Sequence, residues 1–182
     1  EFDELYNALF SNAELYISVV KALAQHHDGM TRTEISKVIG ANGGTLTRVL
    51  TNLERCDFIS RSQNFGCKTK DTIYRLMDFY TLFYYKFIAQ DTSGDEQWWS
   101  HNFESRLVST WQGLTFEIVC LMHTDCIKKA LGISGMATEV SSWRKVADDK
   151  QRGGQIDLVI KRADRIVHLC EMKFSKSEYR IT

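Results

Sequence analysis

What this sequence lacks narrows its function first. Acids and bases balance, 23 Asp plus Glu against 23 Lys plus Arg, so net charge points to neither nucleic acid nor a membrane surface. Any case for either must rest on local patches. No apolar run is long enough to span a bilayer, and no signal peptide is legible before the first element. The five cysteines, Cys56, Cys67, Cys120, Cys126 and Cys170, are odd in number and contain no CxxC pair. That suits a reducing, cytoplasmic setting better than a disulfide framework. Cys120, His123 and Cys126 share a helical spacing, but zinc asks for four ligands, and core thiols explain two of them more simply. No GxxxxGK[ST] phosphate loop occurs, so these 182 residues are not themselves expected to bind ATP.

What is present is a globular chain, 43% hydrophobic, with apolar material for one large domain or two small ones. Ser11-Asn-Ala-Glu14 opens a helix whose apolar residues Tyr16, Val19, Val20 and Leu23 recur on one face, and it stops at His26-His-Asp-Gly29. The paired histidines sit where the last helical carbonyls attract them. Thr31-Arg-Thr-Glu34 is a capping box starting a short helix that buries Ile35, Val38 and Ile39 and ends at Gly40. After a glycine-rich turn, a third helix buries Leu46, Val49, Leu50 and Leu53. Its outer face carries Thr45, Thr47, Arg48, Thr51, Asn52 and Arg55.

Two strands, Phe58 to Arg61 and Thr72 to Leu76, flank a segment holding Lys68 and Lys70. Helix, glycine turn, helix and hairpin together make a winged helix-turn-helix. From Thr45 to Arg75 the bases Arg48, Arg55, Arg61, Lys68, Lys70 and Arg75 outnumber the acids Glu54, Asp57 and Asp71 by three. This local surplus suits phosphate contacts, with Thr45, Thr47, Arg48, Asn52, Arg61, Lys68 and Lys70 as candidate DNA-binding residues. Winged helices also serve as protein-docking modules.

Asp78 to Ile88 reads as an aromatic helix whose Phe79, Leu82, Phe83 and Phe87 form a buried spine. Asp91-Thr-Ser-Gly-Asp-Glu96 is polar and turn-rich, a linker. The expected organisation is a winged-helix domain over 1–90, a linker over 91–103 and a second domain over 104–182. In the latter, Glu104 to Ala130 is helical and contains Glu117, an acid that is costly on a buried face unless paired or metal-bound. Thr138 to Val146 is a first strand, and a charged loop with Asp148 and Asp149 leads to a hairpin.

That hairpin, Gln155 to Phe174, carries the chemistry. A three-residue loop at Ala163, Asp164 and Arg165 sets Asp157 opposite Glu171, Ile156 opposite Met172 and Leu158 opposite Cys170. One register thus gathers Asp157, Glu171 and Lys173 on one face and the apolar residues on the other. Two carboxylates suit Mg²⁺ or Mn²⁺, which polarises a phosphate and acidifies a water, while Lys173 orients that water or neutralises developing charge. The plain alternative is an exposed cross-strand ion-pair cluster.

Asp157 followed by Glu171-Met172-Lys173 resembles the PD-(D/E)XK nuclease superfamily, which often adds an acid from a preceding helix, here Glu117. The chain has no proline, and Ile156 stands where that superfamily's name places one. The whole series resembles the C-terminal portion of archaeal-type DEXX-box ATPases of the AAA+ and STAND kind: a winged helix, the aromatic helix from Asp78, Gly113 with Phe116 and Glu117, and Gly154 with Ile156 and Asp157 before Glu-x-Lys. The resemblance implies an α+β chain, a winged helix followed by a restriction-endonuclease-like α/β domain truncated after the Glu-x-Lys strand. It implies a catalytic set of Asp157, Glu171, Lys173 and Glu117, with Asp157, Glu171 and Glu117 holding Mg²⁺ or Mn²⁺. It further implies DNA as a partner, no membrane, and an upstream ATPase module of the same protein that binds ATP. Beginning at Glu1 without a methionine and stopping at Thr182, the sequence reads as a fragment of something larger. The rival expectation is a catalytically inactive module for protein interaction or regulation of the ATPase.

Overall fold

The structure, a computed structural model, describes residues 2–67, 72–145, 152–175 and 177–178. The chain divides into two compact units, Glu1–Gly94 and Asp95–Thr182. The first contains helices α1 (Phe2–Leu9), α2 (Ala13–Ala24), α3 (Arg32–Ile39), α4 (Gly43–Arg55) and α5 (Phe79–Phe83), and strands β1 (Met30–Thr31), β2 (Ile59–Ser62) and β3 (Ile73–Leu76). A π-helix, Tyr84–Ile88, continues α5. The second contains α6 (Trp98–Asn102), α7 (Arg106–Met122), α8 (Thr124–Ala130), β4 (Thr138–Lys145), β5 (Gly154–Arg162) and β6 (Val167–Cys170). The expected linker stretch 91–103 thus contains the short helix α6. Among the described residues each unit has one antiparallel three-stranded sheet, ordered β1-β3-β2 and β4-β5-β6. Among the described residues no helix is long and apolar enough to cross a membrane. All five cysteines are free.

In the first unit the expected capping box forms. The Glu34 amide donates to Thr31 Oγ1 at 3.3 Å, and the Thr31 amide donates to Glu34 Oε2 at 2.6 Å. Helix α3 ends at Gly40, whose φ of 68° is the left-handed cap that glycine adopts without strain. At the end of α2, His26 Nδ1 lies 2.8 Å from the Ala22 carbonyl, as its position at the helix terminus suggested. Helix α4 buries Leu46, Val49, Leu50 and Leu53, as its periodicity dictates. Each such burial contributes about 1.5–3 kcal/mol.

One expected core residue is corrected: Val38 is 57% exposed, while Ile35 is fully buried. Helix α3 is only eight residues long, and Ile35 with half-buried Ile39 fills the row facing the core, leaving the i+3 position outside.

Two elements come from contacts the local pattern does not reveal. Helix α1 is held by rings: Phe2 stacks on Tyr84 with centroids 3.9 Å apart, and Phe10 stacks on Tyr16 at 4.0 Å. The Tyr6 hydroxyl lies 2.8 Å from Thr81 Oγ1, and burial pushes the Tyr6 phenol well above its ordinary range. Strand β1 pairs Met30 with Tyr74 and Thr31 with Ile73. The preceding Gly29 has φ 77°, and a Cβ there would meet Ile73 Cγ2 at 2.5 Å and the Tyr74 carbonyl oxygen at 2.7 Å. Only glycine lets these backbones approach so closely.

In the second unit, the hairpin has the register derived from its alternation. Leu158 pairs with Cys170, Val159 with Leu169, Ile160 with His168 and Lys161 with Val167. The loop is Ala163 to Arg165, with Arg165 in the left-handed region at φ 70° and the Ile166 carbonyl accepting from the Arg162 amide at 2.8 Å. Leu158, Ile160 and Ile133 form the core, joined by Leu121, Ile127, Cys170 and Met172, so the apolar face is the one expected. On α7, Ile118 is buried and Leu114 and Leu121 are half-buried, whereas Val119 and Met122 are exposed.

Candidate functional site

Helix α4 carries the first candidate surface. Its N-cap residue Asn42 makes no side-chain capping bond, and no acid lies in its first turn. The brace comes instead from α3: Arg32 Nη2 donates to the Gly43 carbonyl at 2.8 Å and to Thr47 Oγ1 at 3.3 Å. Thr47 Oγ1 in turn donates to the same carbonyl at 3.3 Å. Arg32 therefore ties together the two helices of the helix-turn-helix, a role that no local sequence pattern announces. Its position eleven residues before Gly43 is meaningful only once the turn is folded.

Of the candidate DNA-binding residues, Thr45, Thr47 and Arg48 lie exposed on one face of α4. Arg48 makes no hydrogen bond or ion pair with any described residue, so its guanidinium is available to an external anion. Asn52 instead turns inward, its Nδ2 donating to the Tyr16 hydroxyl on α2 at 2.8 Å. Arg61, on β2, is exposed and paired with Glu54 at 3.3 Å. Lys68 and Lys70 lie outside the described residues.

The second candidate surface lies on β5 and the strand after the hairpin loop. Asp157 is only 5% exposed and occupies central strand β5. Its Oδ2 accepts the Met172 backbone amide at 2.9 Å, and its Oδ1 accepts from Gln155 Nε2 at 3.2 Å. The first bond carries the pairing past the last ladder partners of β6 and fixes Asp157 beside the Glu171-Met172-Lys173 segment. Glu171 and Lys173 form an ion pair at 2.5 Å with both side chains 52% exposed. One acid is thus inside the fold, and the other two charges are at its surface.

Glu117 is half-buried on α7. Burial pushes the Cys120 thiol up, and the charges of Glu117 and Asp157 push it further. Among the described residues no group of three or more His, Cys, Asp or Glu is gathered as a metal site. The helical trio Cys120, His123 and Cys126 is likewise not gathered, and His123 Nδ1 lies 2.8 Å from the Val119 carbonyl. Asp148 and Asp149 lie outside the described residues.

Two helices joined by a tight turn, with a small antiparallel sheet beside them, define the first unit as a winged helix. Residues 18–65 match the MarR family. The matched segment runs from within α2 to the turn after β2 and lies entirely in the first unit. No curated protein and no solved structure matches the chain.

Proposed function

We propose that the chain is a DNA-binding regulator whose winged helix lays α4 in the major groove. Thr45 and Arg48 then face bases and phosphates, and Arg61 extends the contact along the backbone, with Lys68 and Lys70 as further cations in the sequence between β2 and β3. The observation that carries this reading is Arg48, an unpaired cation on the exposed face of a helix braced at its start by Arg32. The MarR family match over residues 18–65 supports it. With no net charge on the whole chain, binding depends on these few local cations and falls steeply with salt. Fluorescence anisotropy with labelled duplex DNA, comparing wild type with Arg48→Ala, tests it.

A second reading concerns the second unit, favoured by buried Asp157 held in register with Glu171 and Lys173. We infer a nuclease-like site in which Asp157 and Glu171 hold Mg²⁺ or Mn²⁺, with Glu117 reaching from α7. The acid types suit such an ion, but the three are not gathered in this structure: Asp157 is buried with both oxygens hydrogen-bonded and Glu171 is exposed and paired with Lys173, so the reading requires them to rearrange when the ion binds. When bound, the ion would polarise a phosphodiester and acidify a water. Lys173, released from Glu171, would neutralise charge on the phosphate, and the Met172 amide would keep the Asp157 carboxylate oriented. The resemblance to archaeal-type DEXX-box ATPases supports a wider setting, in which an ATPase module of the same protein binds ATP. Metal-dependent cleavage of plasmid DNA by wild type but not by Lys173→Ala tests the site. Absence of cutting favours the alternative, an inactive module for protein interaction or regulation.

A further inference from the structure

The loop end of the hairpin carries a cleft that neither candidate surface uses. It holds about 440 Å³ and lies between the start of β4 and the end of β5, with Glu139, Lys161, Arg162 and Arg165 as its charged members. Asp157 is four and five residues along β5 from Lys161 and Arg162, about 14–17 Å at strand spacing, so the cleft is a separate place on the sheet. Glu139, Ala163 and Arg165 on its rim are exposed, leaving it open along the surface.

Two of the three cations are committed. Lys161 Nζ lies 3.0 Å from Glu139 Oε2. The Arg162 guanidinium is braced on three sides, donating from Nε to Met136 Sδ at 3.2 Å, from Nη1 to His168 Nε2 at 3.5 Å and from Nη2 to the Asp164 carboxylate. Arg165 differs. Its backbone sits at φ 70°, where an L side chain is strained and glycine or asparagine would make the same turn more easily. Its amide donates to the Arg162 carbonyl at 3.0 Å, but its side chain engages no described residue. The turn therefore holds an uncommitted guanidinium, at a conformational cost, beside a braced one. Three cations against Glu139 and Asp164 leave this end of the hairpin with one positive charge in excess.

We propose that this cleft is a phosphate-binding subsite for a DNA backbone, with Arg165 as the residue that takes the phosphodiester oxygens. Guanidinium donors match a phosphate in fork geometry, and the exposed rim leaves the cleft accessible to a backbone at the surface. Strain kept at a loop position is accounted for when the residue there has a task outside the fold. The subsite lies in the second unit and does not depend on DNA binding by α4.

The test is a titration of the ¹⁵N-labelled full chain with a short DNA duplex, following backbone amides in both units, together with the variant Arg165→Gly. Glycine relieves the positive φ, so the variant is expected to fold at least as well as wild type. The expected result is saturable shifts at Thr138 and at Ala163 to Arg165. In Arg165→Gly these shifts weaken several-fold, and the slope of log affinity against log salt falls by about one. Shifts confined to α4 would overturn the subsite while leaving the winged-helix reading standing, and shifts confined to the cleft would do the reverse. Unchanged cleft shifts and salt slope in Arg165→Gly would overturn the role of Arg165. Equal shifts from inorganic phosphate at the same phosphate concentration would overturn the assignment to a DNA backbone.

Discussion

Arg32 donates to the Gly43 carbonyl at 2.8 Å, binding the first helix of the helix-turn-helix to the first turn of the second. Helix α4 lacks both a side-chain cap and an acid in its first turn, and Arg32, which donates to a carbonyl, ties that turn to α3 without satisfying the free amides those features serve. Arg32→Ala is expected to cost about 0.5–1.5 kcal/mol of stability, the usual worth of one such hydrogen bond. It should also weaken DNA binding several-fold. Arg32→Lys should restore part of the loss, because both bonds leave a single nitrogen, Nη2, and an ammonium also carries several donors on one nitrogen. Thermal melts and anisotropy on the same preparations check both effects.

Gly29 supplies a second expectation. Alanine there would occupy a left-handed φ and drive its Cβ to 2.5 Å from Ile73 Cγ2. The conformational strain alone is about 1–2 kcal/mol, and the overlap with the β3 backbone adds to it. Gly29→Ala should therefore lower the urea midpoint by an amount equivalent to roughly 2 kcal/mol or more.

His27 makes stability depend on pH. Burial lowers its pKa below the ordinary 6.5, and the positive charges of Lys86 and Arg75 lower it further, against the opposing pull of Asp28. The folded state therefore holds this proton more weakly than the unfolded chain does. The contribution is fully present above about pH 6.5 and is lost as pH falls through 6.5 toward the depressed folded value. Urea midpoints between pH 7.5 and 5 should decline in wild type, and the decline should be shallower in His27→Gln.

Asp157 and Lys173 differ in what their removal should do. Asp157 is buried and accepts the Met172 amide, so Asp157→Ala strands a buried donor and should cost about 1–3 kcal/mol. Lys173 and Glu171 are half-exposed, so Lys173→Ala should change stability by less than about 1 kcal/mol. Melting curves separate the two, and a cleavage assay on Lys173→Ala therefore reads chemistry rather than unfolding.

How far the sequence carried these elements depends on the range of the interaction that makes them. The capping box at Thr31 and Glu34, the buried row of α4 and the hairpin register are set by residues close in sequence or by strict alternation, and all were legible. Helix α1 and strand β1 were not, because they exist through Phe2 on Tyr84 and Met30 against Tyr74, contacts more than forty residues long. Asn52 illustrates the limit of a helical wheel. It sits on the polar side of α4, yet Tyr16 on α2 offers a hydroxyl that turns its amide inward. Alternation alone could not give the unequal burial that separates Asp157 from the exposed pair Glu171 and Lys173.

The most direct measurement is the affinity of the full chain for duplex DNA across a range of salt concentrations, for wild type and Arg48→Ala. The account predicts binding whose logarithm falls linearly with log salt, and for Arg48→Ala a weaker affinity with a slope smaller by about one. Binding that is absent at low salt, or identical in affinity and slope in the two proteins, would contradict it.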